Sequence, residues 1–233
     1  MADSTRKFTL RLILSVVTNV GLYVVALFLP ARTFHWWRAW VVICVLLVGI
    51  VWAIASLYHS HRSILEERLK PLIQKGQPLA DRILASLFLL TYMGLVVFVP
   101  FDVFRLHLLA KPEAVVSSLG LVLMAFGWWI AQLSIRENAF ASAAVRLQEE
   151  RQQRVVDTGV YSVVRHPLYA GAFILLIGMT LWLESYASTV LALVPLAVIC
   201  TRILFEERFL KRELPGYSAY LQKVRYRLVP LVW

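Results

Sequence analysis

Long apolar runs, each closed by a polar break, organise this chain. A helix that crosses a bilayer needs about 20 apolar residues. The pattern predicts six such spans, at roughly 9–29, 37–58, 83–101, 115–135, 167–184 and 187–205. The first run is too long for the apolar part of a signal peptide, and no small-residue cleavage site follows it before Pro30, so it is expected to be retained. Only "ESYAS" separates the fifth and sixth spans, which makes them a tight helical hairpin. The segment 63–78, "SILEERLKPLIQKGQP", has an amphipathic first half followed by Pro71, Gly76 and Pro78, and reads as an interfacial helix and a turn. The segment 136–159 is expected to prolong the fourth span as a helix as far as Gly159. The predicted fold is all-α: a polytopic membrane helix bundle of about six transmembrane helices. Its N-terminal unit, 1–135, carries four spans and an amphipathic loop at 59–82. Its second unit, 136–233, carries a helix, the hairpin and a charged tail.

Composition supports the membrane reading. Of 233 residues, 60% are hydrophobic, against about 45–50% in soluble domains. The net charge of +10 would suggest a nucleic-acid partner in a soluble protein. Here the loops account for it. Twenty of the 24 Lys and Arg fall on the side that holds the N-terminus, the second and fourth loops and the tail; only Arg32, Arg38, Arg105 and Lys111 fall on the other. That bias predicts cytoplasmic termini and a basic face suited to anionic lipid head groups. Trp36, Trp37 and Trp40 read as an aromatic belt on the opposite side. Cys44 and Cys200 lie in apolar runs and read as core residues. His59 and His61 face apart at a spacing of two and have no third ligand, so no metal site is expected. Asn19, inside the first span, reads as a helix-contact residue.

The chemistry concentrates in "VYSVVRHPLYAG", residues 160–171. Pro167 suits the first turn of a helix, and it pushes His166 towards an extended conformation. Arg165 and His166 then stand at a helix N-terminus, where free N–H groups favour an anion. Gly171 and Gly178 share a helix face and allow a close neighbour. At the far end of the hairpin, Glu206 and Glu207 oppose the helix dipole, which calls for a compensating partner. Arg202, four residues before Glu206, offers a local ion pair. The hairpin brings the start of one span to the end of the other, so Arg165 and His166 should face Glu206 and Glu207. A structural salt bridge closing the hairpin and a polar ligand site both fit that prediction. A third constellation, "QLSIRENAF", contributes Gln132, Arg136, Glu137 and Asn138.

"TGVYSVVRHPLYAG", a hairpin, then "EERFL" and "LPGYSAYLQKVRYRLVPLVW" resemble the isoprenylcysteine carboxyl methyltransferase family, with phospholipid N-methyltransferases similar in the same region. The resemblance is strongest over 136–233, and "ILEERLKPLIQKGQP" and "ENAF" are similar to bacterial members. It implies an S-adenosylmethionine site on the cytosolic side, formed by the last spans and the tail. The cofactor site would be lined by Gln132, Tyr161, Arg165, His166, Pro167, Tyr169, Gly171, Glu206 and Glu207. Asn138 and Arg202 are carried as catalytic candidates, and Arg202 or Arg225 as holders of an acceptor carboxylate. The implied partners are membrane lipids and a lipid-like methyl acceptor such as a prenylated cysteine, with no metal and no nucleic acid. The implied location is a bacterial inner membrane. Two other readings remain: an NADPH-dependent sterol-type reductase, which has a similar arginine–histidine–proline cluster, and a non-catalytic lipid-binding scaffold. Family members differ in their N-terminal helices, which leaves the acceptor open. The closing "LVW" is not a prenylation box.

Overall fold

The computed structural model describes residues 2–58 and 62–233, without the side chains of residues 2–4. His59 and His61 lie outside the described residues. The described chain is helical: α1 (Ala2–Ala31), α2 (Trp37–Tyr58), α3 (Arg62–Arg68), α4 (Leu79–Phe101), α5 (Ala114–Glu137), α6 (Pro167–Trp182), α7 (Tyr186–Leu191), α8 (Leu193–Glu213) and α9 (Tyr217–Lys223). A π-helical turn, Asp102–Leu106, prolongs α4. Large apolar side chains such as Leu14, Val17, Val48, Leu90 and Val122 point outward and stay exposed, as lipid-facing residues of a membrane protein do.

Five helical stretches are long and apolar enough to cross a membrane: Thr5–Ala31, Trp37–Tyr58, Leu79–Leu106, Ala114–Glu137 and Tyr186–Glu213. The fifth predicted span forms as α6 but has only 16 residues, about 24 Å of helix against a hydrocarbon core of about 30 Å. Its polar start is therefore drawn in towards the edge of the apolar layer. Its hairpin partner, by contrast, runs on past residue 205 to Glu213, so Glu206 and Glu207 are helical residues.

The tightest helix contact is α5 against α6. Four glycines set it. A Cβ on Gly178 would lie 2.5 Å from Gly120 O, and one on Gly127 would lie 2.5 Å from Gly171 O. The reciprocal positions are as close, with Gly120 to Gly178 O at 2.8 Å and Gly171 to Gly127 O at 2.6 Å. The two backbones thus touch without side chains between them, the small-residue packing that membrane helices favour. At the end away from the termini, Arg38 donates to Ser117 Oγ (2.6 Å) and Trp182 O (3.0 Å), and it pairs with Glu184. Its guanidinium also lies over the rings of Trp37 and Trp182. Trp37 and Trp40 of the expected belt are exposed, while Trp36 is buried in the core.

One prediction fails. Residues 138–158 do not prolong α5. The helix stops at Glu137 because Asn138 turns extended (φ −112°, ψ 98°) and its Oδ1 accepts from Phe140 N–H at 2.9 Å, a side-chain bond that competes with the helix. The chain then crosses the polar end of the bundle as an irregular strap with one 3-10 turn, Glu149–Arg151. Gly159 ends the strap at positive φ (53°), where a Cβ would strike the Glu137 carboxylate.

The glycine contact generates a stability prediction. Gly178→Leu should cost about 3 kcal/mol or more, because backbone cannot retreat from the new side chain. Gly94→Leu, on an α4 position with open space around it, should stay within about 0.5 kcal/mol of the parent. Thermal unfolding in detergent measures both, and equal midpoints for the two variants would contradict the packing described.

Candidate active site

Pro167 opens α6 at its first turn, and His166 before it is extended (φ −126°, ψ 59°). The tail fixes this approach. Val164 bridges Tyr226, Arg165 N–H donates to Tyr226 O, and His166 N–H donates to Arg227 O, both at 2.9 Å. Backbone groups that precede the helix are thereby satisfied by the C-terminal tail. The predicted meeting of the hairpin ends is present. Glu207 Oε1 lies 3.2 Å from both His166 Nε2 and Arg165 Nε, and Glu207 Oε2 accepts from Arg227 Nε at 3.0 Å. Arg165 Nε is not aligned to donate to Glu207, so it is buried without a hydrogen bond.

The two adjacent glutamates have different surroundings. Glu207 is buried beneath Arg165, His166 and Arg227. Glu206 is half-buried and accepts one hydrogen bond, from Tyr169 Oη at 2.9 Å. It lines a polar pocket of about 110 Å³ together with Asn138, Tyr161, Arg165, His166, Tyr169, Tyr217 and Tyr220. The His166 ring stacks on Tyr169 at 5.7 Å. Strap residues Phe140, Ser142 and Val145 form the opposite wall. Burial pushes Tyr161 up to about 12, against smaller opposing effects of Asn138 and Arg68. Burial, then the charges of Glu206 and Glu207, drives Tyr217 higher still, and burial does the same to Tyr220. These phenols stay protonated; Tyr220 Oη donates to Tyr161 O at 2.7 Å, and the rings line the pocket.

Six of the residues singled out from the sequence therefore line one pocket: Asn138, Tyr161, Arg165, His166, Tyr169 and Glu206. Pro167 and Gly171 shape it from behind, the one by starting α6 and the other by seating it on α5. Gln132 lies elsewhere. It is buried and lines a second, apolar cavity of about 360 Å³ between α1, α2, α3 and α5. Arg202 does not pair with Glu206 as its spacing suggested. Its Nε donates to Asp81 Oδ1 at 2.8 Å and its Nη2 to Ala143 O at 2.5 Å.

Asp81 had no signal beyond an acid in the first turn of an apolar helix, where the dipole alone would explain it. It is fully buried, and it also accepts from Gln77 Nε2 (2.6 Å) and Val145 N–H (2.9 Å). This hub ties the strap to α4 and α8. Glu67 adds a second tie through Arg146 at 3.3 Å. Burial raises the Glu67 pKa, but Lys70 and Arg146 outweigh it and hold the carboxyl below its usual value.

The profile of the phospholipid methyltransferase family matches residues 115–215, a stretch that contains α5, the strap, α6 and α8. Two rice proteins, each named probable protein-S-isoprenylcysteine O-methyltransferase (Oryza sativa subsp. indica and subsp. japonica), are 29% identical over 192 residues. That similarity covers 80% of this chain and 93% of each relative. Protein-S-isoprenylcysteine O-methyltransferase B of Arabidopsis thaliana is 28% identical over 114 residues, covering 42% of this chain and 58% of that protein. These similarities support a membrane methyltransferase, similar to the protein-S-isoprenylcysteine O-methyltransferases. The matched stretch holds the whole hairpin and most of the pocket wall.

The Asp81–Arg202 pair should be structural. Arg202→Met leaves a buried carboxylate without its cation, so a loss of about 3–5 kcal/mol is expected. The same substitution in an Asp81→Asn background should cost much less. A double-mutant cycle on thermal stability measures this, and additive losses would contradict a direct pair.

Proposed function

We propose that the polar pocket binds S-adenosylmethionine, and that the acceptor is the carboxylate of a lipid-like molecule such as a prenylated cysteine. The observation that carries this reading is the separation of charge in the pocket. Arg165, whose buried Nε pairs with Glu207 without a hydrogen bond, and His166 stand at one helix start, Glu206 keeps acceptor capacity, and four tyrosines line the space between. A cofactor with a carboxylate, an ammonium, a sulfonium and an adenine matches that donor set. Arg165 and the start of α6 suit the carboxylate. Glu206 suits the ammonium or the ribose hydroxyls. Tyrosine ring faces suit the sulfonium and the adenine.

The pocket's 110 Å³ falls below the roughly 300 Å³ at which small-molecule sites begin. The strap must therefore lift to admit the cofactor, and its closure would exclude water. When bound, the cofactor supplies an activated methyl group for in-line displacement. A carboxylate acceptor is already ionised at neutral pH, so the protein needs no general base. Its residues contribute alignment and a dry environment. In this reading residues 136–233 with α5 hold the donor, and the helices of residues 1–135 receive the acceptor. The charge bias of the loops supports cytoplasmic termini.

The reductase reading needs further cations for the extra phosphate of NADPH. Here Arg227 is committed to Glu207 and Arg202 to Asp81. The scaffold reading does not require Glu206 to be left open towards a pocket.

Calorimetry with S-adenosylhomocysteine on the detergent-purified protein tests the proposal. Saturable binding is expected. Glu206→Ala should weaken it at least tenfold while thermal stability stays close to the parent, and His166→Ala should weaken it at some cost in stability, because His166 also faces the buried Glu207 carboxylate. Binding of NADPH in place of S-adenosylhomocysteine would overturn the reading, as would binding indifferent to both substitutions.

A further inference from the structure

The apolar cavity of about 360 Å³ is separate from the polar pocket and several times larger. Its walls run along α1 from Leu12 to Tyr23, about 16 Å of helix, or roughly the depth of one leaflet. Most of its lining is aliphatic, with residues such as Val16, Leu46 and Ile54. The polar exceptions carry the argument. Asn19 is satisfied, donating to Ser15 O at 2.8 Å. Gln132 is 3% exposed, and its Oε1 has no hydrogen-bond partner. Trp128 Nε1, also buried, has none either. Both line this cavity.

Arg68 lines it too, from the last residue of α3. Among the described residues it has no hydrogen bond or ion pair. The two glutamates beside it are turned elsewhere, Glu66 to Arg62 and Glu67 to Lys70 and Arg146. The Arg68 side chain keeps open surface, yet protein crowds it enough that burial pulls its guanidinium pKa down. The two facts agree if that open surface faces the cavity. It interacts electrostatically with Tyr161 and Tyr169, both walls of the polar pocket, and more weakly with Glu67. Arg68 thus stands where the two spaces approach each other.

We infer that Arg68 is the headgroup clamp of the acceptor site: its guanidinium holds the carboxylate of a single-chain amphiphile whose apolar chain fills the cavity between α1, α2, α3 and α5. This rests on the proposed methyl transfer to a carboxylate, and it assigns the acceptor to a cavity whose α1, α2 and α3 walls lie outside the family-matched stretch. The chemistry is complementary. An unpaired guanidinium offers a carboxylate two parallel N–H donors. The unpaired amide end of Gln132 offers a second polar contact to a headgroup that carries an N–H. The aliphatic walls exclude anything but a hydrocarbon chain behind them.

The test uses the full-length protein in lipid nanodiscs and two probes, N-acetyl-S-farnesylcysteine and its uncharged carboxamide. The parent should bind the acid more tightly than the amide. Arg68→Gln should weaken the acid about tenfold to hundredfold, leave the amide unchanged, and leave S-adenosylhomocysteine binding unchanged. Arg68→Lys should recover part of the loss. Equal affinity of the parent and Arg68→Gln for the acid would overturn the inference, as would equal loss of acid and amide or failure of the parent to bind either probe. S-adenosylhomocysteine binding is read separately, so a failure of the donor site is distinguishable from a failure of the clamp.

Discussion

The polar end of this membrane bundle depends on one buried ion pair. Asp81 enters α4 with no exposure at all, and Arg202 meets it from α8 across 121 residues of sequence. Burying two charges is costly unless their remaining hydrogen-bond capacity is used. Here it is used: Gln77 and Val145 donate to Asp81, and Ala143 O accepts from Arg202. Two of those partners belong to the strap. The strap has one 3-10 turn of its own, and these bonds, with the Glu67–Arg146 tie, hold it over the helices. The pair therefore converts an irregular segment into a wall, and the space beneath that wall is the pocket.

The second constraint is the sorting of charge at the foot of the hairpin. Two glutamates in succession at a helix C-terminus are unfavourable on their own. Glu207 is offset by two arginines and a histidine and becomes part of the framework. Glu206 keeps only the Tyr169 hydroxyl and faces open space. One glutamate thus closes the hairpin and the other remains available to a ligand. The salt-bridge and ligand-site readings of the sequence each describe one member of the pair.

Much of this was legible in the chain. The apolar runs gave the helices, and the short reversal after α6 brings Arg165 and His166 to the glutamates, although α7 forms part of it and α6 packs mainly on α5 and α8 on α4. Pro167 marked the helix start, and Gly171 and Gly178 marked a contact face. Their counterparts Gly120 and Gly127 could be matched to them only once α5 and α6 were seen side by side. What escaped was set at long range or by competition. A helical pattern through 138–158 lost to the local Asn138 turn and to the pull of Asp81. Arg202 had a partner at helical spacing, yet a buried carboxylate on another helix outbid it. Gln132 looked like a neighbour of the pocket, but its side of α5 faces the apolar cavity. Arg68 lies in the segment expected as an interfacial helix and had no signal of its own; only the packing of α3 over the bundle shows its guanidinium without a hydrogen bond or ion pair among the described residues.

The most direct measurement is of the chemistry itself. The purified protein in nanodiscs, given S-adenosylmethionine with a labelled methyl group and N-acetyl-S-farnesylcysteine, should form a product whose label is released as methanol by mild base. Glu206→Ala should abolish that release while the protein stays folded. Label in a base-stable product, or release that survives loss of Glu206, would contradict the account.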